Sequence, residues 1–355
     1  MDLIPNLPNH IALECLIRVP YDQFSRVASV SNDWKKEIEL PEFRRLRKTT
    51  RHSQKIIVMS QARVDPNRKT GVIKRFANPE YRVTLLELDT GHWSELPPLP
   101  GFSSGLPMFC QLAAVGLNIV VMGGLDPVNW EVSNSVFIFN IVTGKWHRGD
   151  DMPGVRRSFY GCVSDHDRMV YVAGGHDADK NALRSAMAYD VAENKWIQLP
   201  DMAMERDECK GIFQDGKFHA IGGYCTKTQG HFEETAEVFD VATWQWGNVE
   251  ENFLKVSTCP RTCTAGNDKD IYLSHEGDVV ALKGEKWQAL AKIPAEVCNV
   301  AYMTTWQGKL LVIGCARYSE PHMAYVLDLK SYKWTKIESR KEFCGHVQSG
   351  CYLEI

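Results

Sequence analysis

The sequence predicts an all-β chain folded as a six-bladed propeller and preceded by a small α-helical module. Three observations predict it. Trp93, Trp146, Trp196, Trp246, Trp287 and Trp334 recur at spacings of 53, 50, 50, 41 and 47 residues. A large apolar residue stands seven positions before each (Leu86, Phe139, Tyr189, Phe239, Val280, Leu327), and another five before (Leu88, Ile141, Val191, Val241, Leu282, Leu329). Positions two apart share one face of a strand. The glycine pairs Gly123-Gly124, Gly174-Gly175 and Gly222-Gly223 return at the same period. A strand unit repeated about every 50 residues marks a repeat array rather than one layered core.

The 355 residues carry 41 basic and 44 acidic side chains, a net charge of −3, with 44% hydrophobic and 24% charged residues. This composition is ordinary for a globular chain and gives no global pull toward nucleic acid or membrane. No apolar run is long enough to span a bilayer. The N-terminus lacks the basic and apolar regions of a secretory signal, so cytoplasm and/or nucleus is the expected location. The 11 cysteines are scattered without a C-x-x-C pair and read as small apolar residues of a reducing compartment. Cys259 and Cys263 lie closest together, with no further ligands at zinc spacing.

Residues 2–45 have a helical texture. Pro8 suits the first turn of a helix, where its missing N–H costs nothing. Ile11, Cys15, Leu16 and Val19 then share one face, and Pro20 marks the stop. Phe24, Val27 and Ala28 supply a second apolar stripe, Trp34 and Ile38 a third. Three short helices bury only a small core, so the module has to lean on the propeller or on a partner. Residues 44–55 are basic (Arg44, Arg45, Arg47, Lys48, Arg51, Lys55). They read as a solvated helix end and linker, in preference to a nuclear import signal.

Leu7-Pro8, Ile11, Leu16, Val19-Pro20, Val27, Val30-Ser31, Trp34 and Phe43 fall where the F-box motif has its recurrent residues. The segment resembles an F-box, although Asn9-His10 replaces the acidic residues common after Leu-Pro. The resemblance implies docking on a Skp-type adaptor, and through it a cullin. Leu7, Pro8, Ile11, Leu16, Val19, Pro20 and Trp34 are the expected contacts. The expected boundaries are 1–45 for the F-box, 46–54 for a basic linker and 55–355 for the propeller.

From Lys55 onward the chain reads as strands and turns. The third repeat offers strands a to d at 158–165, 169–175, 185–191 and 196–199. The second offers 109–116, 118–124, 135–141 and Trp146 onward; the fourth 209–216, 217–223, 236–241 and Trp246 onward. Four-stranded units around an axis make a β-propeller. Glycine at the end of strand b permits a positive φ or a close backbone approach. The tryptophans are expected between adjacent blades. The pattern resembles the kelch repeat, with six repeats over most of residues 55–340, so the whole reads as a six-bladed kelch β-propeller preceded by an F-box. Repeat quality is uneven: Met59-Ser60, Ser274-His275 and Gly314-Cys315 stand where glycine pairs belong. The first repeat lacks strand a before Lys55, and residues 344–355 supply a matching segment, closing the first blade without an open edge.

An F-box followed by kelch repeats resembles the plant kelch-repeat F-box proteins. That likeness implies a non-catalytic substrate receptor of a ubiquitin ligase. Its targets would be phenylpropanoid enzymes, such as phenylalanine ammonia-lyase or chalcone synthase, or cytokinin response regulators. The other class is a kelch-type metal-dependent enzyme or specifier protein with a helical cap. His166 in Asp165-His166-Asp167 invites a metal reading, but the segment also reads as an a–b turn. No phosphate-binding glycine loop or serine elbow is present. No catalytic residue, metal or cofactor is therefore expected.

Strands alternate in direction, so the b–c and d–a connections emerge on one face. The b–c connections are long, at roughly 61–82, 125–134, 176–185 and 224–235. Recognition is expected there, because binding residues concentrate on loops held by a rigid scaffold. The candidates are Trp130, His176, Tyr224 and Tyr318, with Arg156, Arg157, Arg206 and Arg261 in the d–a connections. Aromatic residues and arginine dominate protein interfaces, and arginine grips carboxylates bidentately. Arg206 pairing instead with Asp207 or Glu208 is the alternative.

Overall fold

The computed structural model describes residues 3–64, 79–102, 104–254, 257–266, 268–284, 286–318 and 320–355. Most of the expected 61–82 connection, at 65–78, lies outside the described residues.

In each repeat the strand carrying the large apolar residue turns back into a strand opened by tryptophan. Leu86 faces Trp93, Phe139 faces Trp146, Tyr189 faces Trp196, Phe239 faces Trp246 and Leu327 faces Trp334. The fifth repeat differs: Leu282, not Val280, faces Trp287. Its c–d connection holds two residues instead of four, which moves the facing partner from seven to five positions before the tryptophan.

These hairpins extend to four-stranded antiparallel sheets, six among the described residues. Their inner strands are Val347–Glu354, Gln111–Val115, Gly161–Ser164, Lys210–Gln214, Thr264–Ala265 and Asn299–Trp306. Each packs against the next around a ring. The Ser349 hydroxyl donates to the Cys110 carbonyl (2.7 Å), and Ser164 to Ala114 (2.7 Å). Val347–Glu354 pairs antiparallel with Lys55–Ala62, so the last strand completes the first blade. Apolar clusters fill the spaces between blades. Each recurrent indole also donates its N–H to a carbonyl at the end of the preceding blade. Trp146 reaches Pro97, Trp196 Asp150, Trp246 Pro200, Trp287 Phe253, Trp334 Lys292 and, across the closure, Trp93 reaches Glu338.

The three glycine pairs all have positive φ. A Cβ on Gly174 would stand 2.1 Å from the Arg206 carbonyl oxygen, and one on Gly175 would stand 2.4 Å from that of Ser158. Both the backbone conformation and the close approach therefore demand glycine.

Four helices form at the N-terminus where three were expected: α1 (Asn9–Leu16), α2 (Phe24–Val30), α3 (Asn32–Glu39) and α4 (Pro41–Thr49). Pro8 precedes α1 as its cap rather than lying in its first turn. Pro41 occupies the first turn of α4, and the Ser31 hydroxyl caps α3 by accepting from the Trp34 N–H. The expected boundary at 45 falls inside α4, so 46–54 begins as helix and not as linker. Nor is that stretch wholly solvated. Arg47 is buried and donates to the carbonyls of Ile17 (2.5 Å) and Val19 (2.6 Å), 5.1 Å from the Phe24 ring. Burial lowers its pKa to about 10.

The helices sit on the short-turn face of the propeller. Leu16, Ile17, Phe24 and Phe43 share one core with Ile56, Leu117, Ile141 and Leu353. Around it, Arg44 pairs with Asp167 of a blade 3 turn (3.9 Å), and Lys48 with Glu354 (2.9 Å). The module thus leans on the propeller, as its small size requires.

Candidate functional site

Two surfaces remain open at opposite ends of the molecule. On the helical module, Pro8, Ile11 and Pro20 are exposed, and Leu7, Val19 and Trp34 are half-buried. Leu16 does not belong with them: it is 3% exposed and packs into the core shared with the propeller. Val30, at 72%, and Leu40 add exposed apolar surface. Val30 is part of the F-box pattern; Leu40 carries no such signal.

On the opposite face, the structure corrects four expected contact residues. Arg157 and Arg206 point inward and are almost fully buried. Arg157 donates to the carbonyls of Gly174 (3.1 Å) and Ser185 (3.0 Å) and to the Ser185 hydroxyl (2.8 Å). Arg206 makes the matching set in the next blade, to Gly222 (2.7 Å) and Thr235 (3.2 Å). Its Nε meets Glu237 at 3.2 Å, so its acidic partner is Glu237 rather than Asp207 or Glu208. The physical reason is the glycine pair. Its inward carbonyl is a buried acceptor, and leaving it unpaired would be costly. Arg261 sits in the corresponding connection of blade 5, which has no glycine pair. Its Nη2 turns to the Val300 carbonyl of blade 6 (3.3 Å), and the residue stays exposed.

His176 is buried too. Its Nδ1 lies 2.7 Å from Asp207, and its Nε2 lies 2.9 Å from the Ser158 hydroxyl and 2.8 Å from Lys180 Nζ. Ser158, His176 and Asp207 have the hydrogen-bond order of a hydrolytic triad. All three are buried, however, and the Phe159 ring stacks on the imidazole at 5.5 Å. The chain of bonds ties blade 3 to blade 4. Tyr224, also buried, donates to Glu208 (3.1 Å), and burial first, then Asp207 and Glu208, push its pKa up.

The remaining candidates are accessible. Trp130 is 50% and Tyr318 86% exposed. The Arg156 guanidinium reaches the Val132 carbonyl (3.4 Å), which sets it beside the loop carrying Trp130. Val128 and Val155, both exposed, extend this patch on blades 2 and 3. Tyr318 and Arg261 lie apart, toward blades 5 and 6. Sequence reasoning missed Phe109 and Phe159, whose rings stand 4.8 Å apart where the inner strands of blades 2 and 3 begin. Their shared place in the repeat was the available signal. His166 has φ 65° in its turn, where Asp165 accepts from the N–H groups of Asp167, Arg168 and Met169. That is turn chemistry. Among the described residues, no three His, Cys, Asp or Glu side chains converge as metal ligands.

Comparison with known proteins agrees with this architecture. Residues 109–153 and 156–203 match the Kelch motif family model. The chain is 51% identical to "F-box/kelch-repeat protein At1g80440" of Arabidopsis thaliana, covering 100% of both chains. It is 50% identical to "F-box/kelch-repeat protein At1g15670" of the same plant, again over 100% of both. The solved "Structure of YjhT" superposes with a TM-score of 0.58 at 14% identity, over 72% of this chain and 91% of that one. This last likeness concerns the fold alone.

Proposed function

The chain belongs to the plant F-box/kelch-repeat proteins, and from that premise we propose that it is the substrate-recognition subunit of a Skp-cullin-F-box ubiquitin ligase. The helical module docks the Skp-type adaptor, and through it a cullin. The long-loop face of the propeller captures a protein target for ubiquitination and proteasomal degradation. The target class is a phenylpropanoid-pathway enzyme, such as phenylalanine ammonia-lyase, or a cytokinin response regulator. The role is non-catalytic and is exercised in the cytoplasm and/or nucleus.

One observation carries this reading. The helices use their inner face on the short turns of the propeller, which leaves an outer surface with Pro8, Ile11 and Val30 at one end of the molecule and the Trp130–Arg156 patch at the other. A subunit that bridges two partners needs such separation. The Ser158–His176–Asp207 chain is buried within the blades, which favours the bridging role over a hydrolytic one.

The test uses point substitutions, because cutting at residue 46 would remove Phe43 from the shared core. Ile11→Asp, or Leu7→Ala with Pro8→Ala, is expected to lower adaptor co-purification at unchanged stability. Leu16→Ala is expected to cost about 2–5 kcal/mol of stability instead. Adaptor capture equal to the parent by both Ile11→Asp and the double variant would sink the proposal.

A further inference from the structure

The mouth of the propeller channel on the long-loop face is aromatic on one side and basic on the other. The aromatic side is Phe109 and Phe159, on blades 2 and 3. The basic side takes one residue from each of the four remaining blades. Lys210 opens the inner strand of blade 4. Arg261 sits in the 3-10 turn Pro260–Thr262 that leads into blade 5. His322 immediately precedes the blade 6 strand Met323–Asp328, and His346 immediately precedes the inner strand of blade 1. Strand direction puts all four at the same end of the ring.

The side chains of His322, His346 and Arg261 gather on blades 6, 1 and 5, and Lys210 lies beyond Arg261. The imidazoles of His322 and His346 stand 5.3 Å apart, edge to face, and the Tyr81 hydroxyl lies 3.1 Å from His346 Nδ1. The turn bearing Arg261 packs on the inner strand of blade 6. Alternation along its strand puts Lys210 on the face of Ile212 and Gln214. Gln214 donates to the Gly266 carbonyl of blade 5, so Lys210 leans toward Arg261. Arg261 acts electrostatically on the other three. Burial first, then positive neighbours including Arg261, lower the pKa of His322 and bring that of His346 down to about 4. Lys210 is lowered by burial, with the thiols of Cys263 and Cys162 offsetting and Arg261 adding to the effect.

No carboxylate among the described residues is a cause of the shifts of His322 and His346, and the largest causes at Lys210 are burial, the Cys263 and Cys162 thiols and Arg261. An acid in the neighbourhood, Glu208, acts on Cys259 and accepts from the Tyr224 hydroxyl. The Lys210 ammonium has no hydrogen-bond partner among the described residues. Like charges that gather with little counter-charge are unfavourable unless they lose protons or an anion joins them. All four residues are exposed or half-buried, so an anion can reach them.

We propose that Lys210, Arg261, His322 and His346 form an anion site at the channel mouth that takes a phosphoryl group. Arg261, with the two imidazoles on one side and the Lys210 ammonium on the other, offers donors and charge suited to a dianion, whereas one carboxylate offers two oxygens and a single charge. Imidazoles held neutral in the empty site gain protons as the dianion enters. Phe109 and Phe159 provide an apolar wall for whatever carries the group. Two sources share this chemistry: a phosphorylated side chain of a protein, or a small free phosphate compound. The site stands independently of adaptor docking.

The test is calorimetric titration of the full-length chain at low salt with inorganic phosphate, with a phosphoserine peptide and with its unphosphorylated twin. The parent is expected to bind a phosphorylated probe and not the twin. Lys210→Met and Arg261→Gln should each weaken binding about tenfold or more, the loss of one charge-assisted hydrogen bond. Lys195→Gln, on the outer strand of blade 3, should bind like the parent. Saturation by inorganic phosphate with these losses assigns a free ligand; binding of the phosphopeptide alone assigns a protein-borne one. Melting curves in the same buffer identify any variant that fails to fold, and His322→Gln then replaces it. Adaptor capture, measured in parallel, should stay at the parent level throughout. No binding of either phosphorylated probe by the parent, or parent-like binding by the folded variants, overturns the site.

Discussion

At Arg206 the consequence of burial can be stated as a number. Glu237, its partner, also accepts from the N–H groups of Ala203 (2.6 Å) and Met204 (3.1 Å). Removing the guanidinium strands a buried carboxylate together with the Gly222 and Thr235 carbonyls. Arg206→Ala is therefore expected to cost about 3–5 kcal/mol in urea denaturation. Arg156→Ala, on an exposed residue of similar position, should stay within about 0.5 kcal/mol. His219, on the second strand of blade 4, carries a buried Nδ1 with no hydrogen-bond partner. Burial first, then Lys217, bring its pKa down to about 4, with Asp215 partly offsetting. In the unfolded chain it titrates near pH 6.5. Between those values the unfolded state binds more protons, so stability rises with pH. The contribution of His219 is intact above about pH 6.5 and is lost as pH falls toward 4. His219→Gln should flatten the fall of melting temperature over that window; an unchanged slope would exclude His219 as its source.

The unit of the fold is the hairpin that ends in tryptophan. Its indole does two jobs: it packs on the facing apolar residue and pins the preceding blade. In blade 3, Trp196 lies 4.9 Å from Tyr189 and donates to Asp150 at 2.9 Å. Substitution separates the two roles. Trp196→Phe keeps a ring and loses the hydrogen bond, for about 1 kcal/mol. Trp196→Ala loses both, for about 3 kcal/mol at this half-buried position. Equal losses in thermal melts would mean that the pinning bond, not the packing, holds the blades. These hairpins were legible because a two-residue period and a fixed spacing are local properties. The fifth repeat escaped in register, since the length of its turn, not the apolar pattern, sets which residue faces Trp287.

For the whole molecule, closure is the decisive feature. Val347–Glu354 lies between the first strand of blade 1 and the inner strands of blades 2 and 6. Deleting residues 347–355 would uncover the edge of Lys55–Ala62 and open the ring. The expected result is aggregation on size-exclusion chromatography, because an unpaired strand edge templates further pairing. A monomer with the melting temperature of the parent would contradict it. Closure also fixes the two working faces. The helices take the short-turn side, and the long connections lie on the other.

The sequence by itself determined the blade number, the strand order, the completion of blade 1 by the last strand and the helical character of the N-terminus. Each rests on patterns within one repeat or one helix, and repetition multiplies the signal. Only the tertiary structure decided which arginines face solvent. Arg157, Arg206 and Arg261 occupy similar places in the chain, yet two are consumed by the carbonyls of a glycine pair, while Arg261, in a blade without one, reaches the Val300 carbonyl and stays exposed. The same holds for Leu16 and Arg47, claimed by the core between helices and propeller. It holds as well for Lys210, Arg261, His322 and His346, which lie as much as 136 positions apart. Ring closure brings them to one mouth, and no local pattern can announce a meeting made by closure.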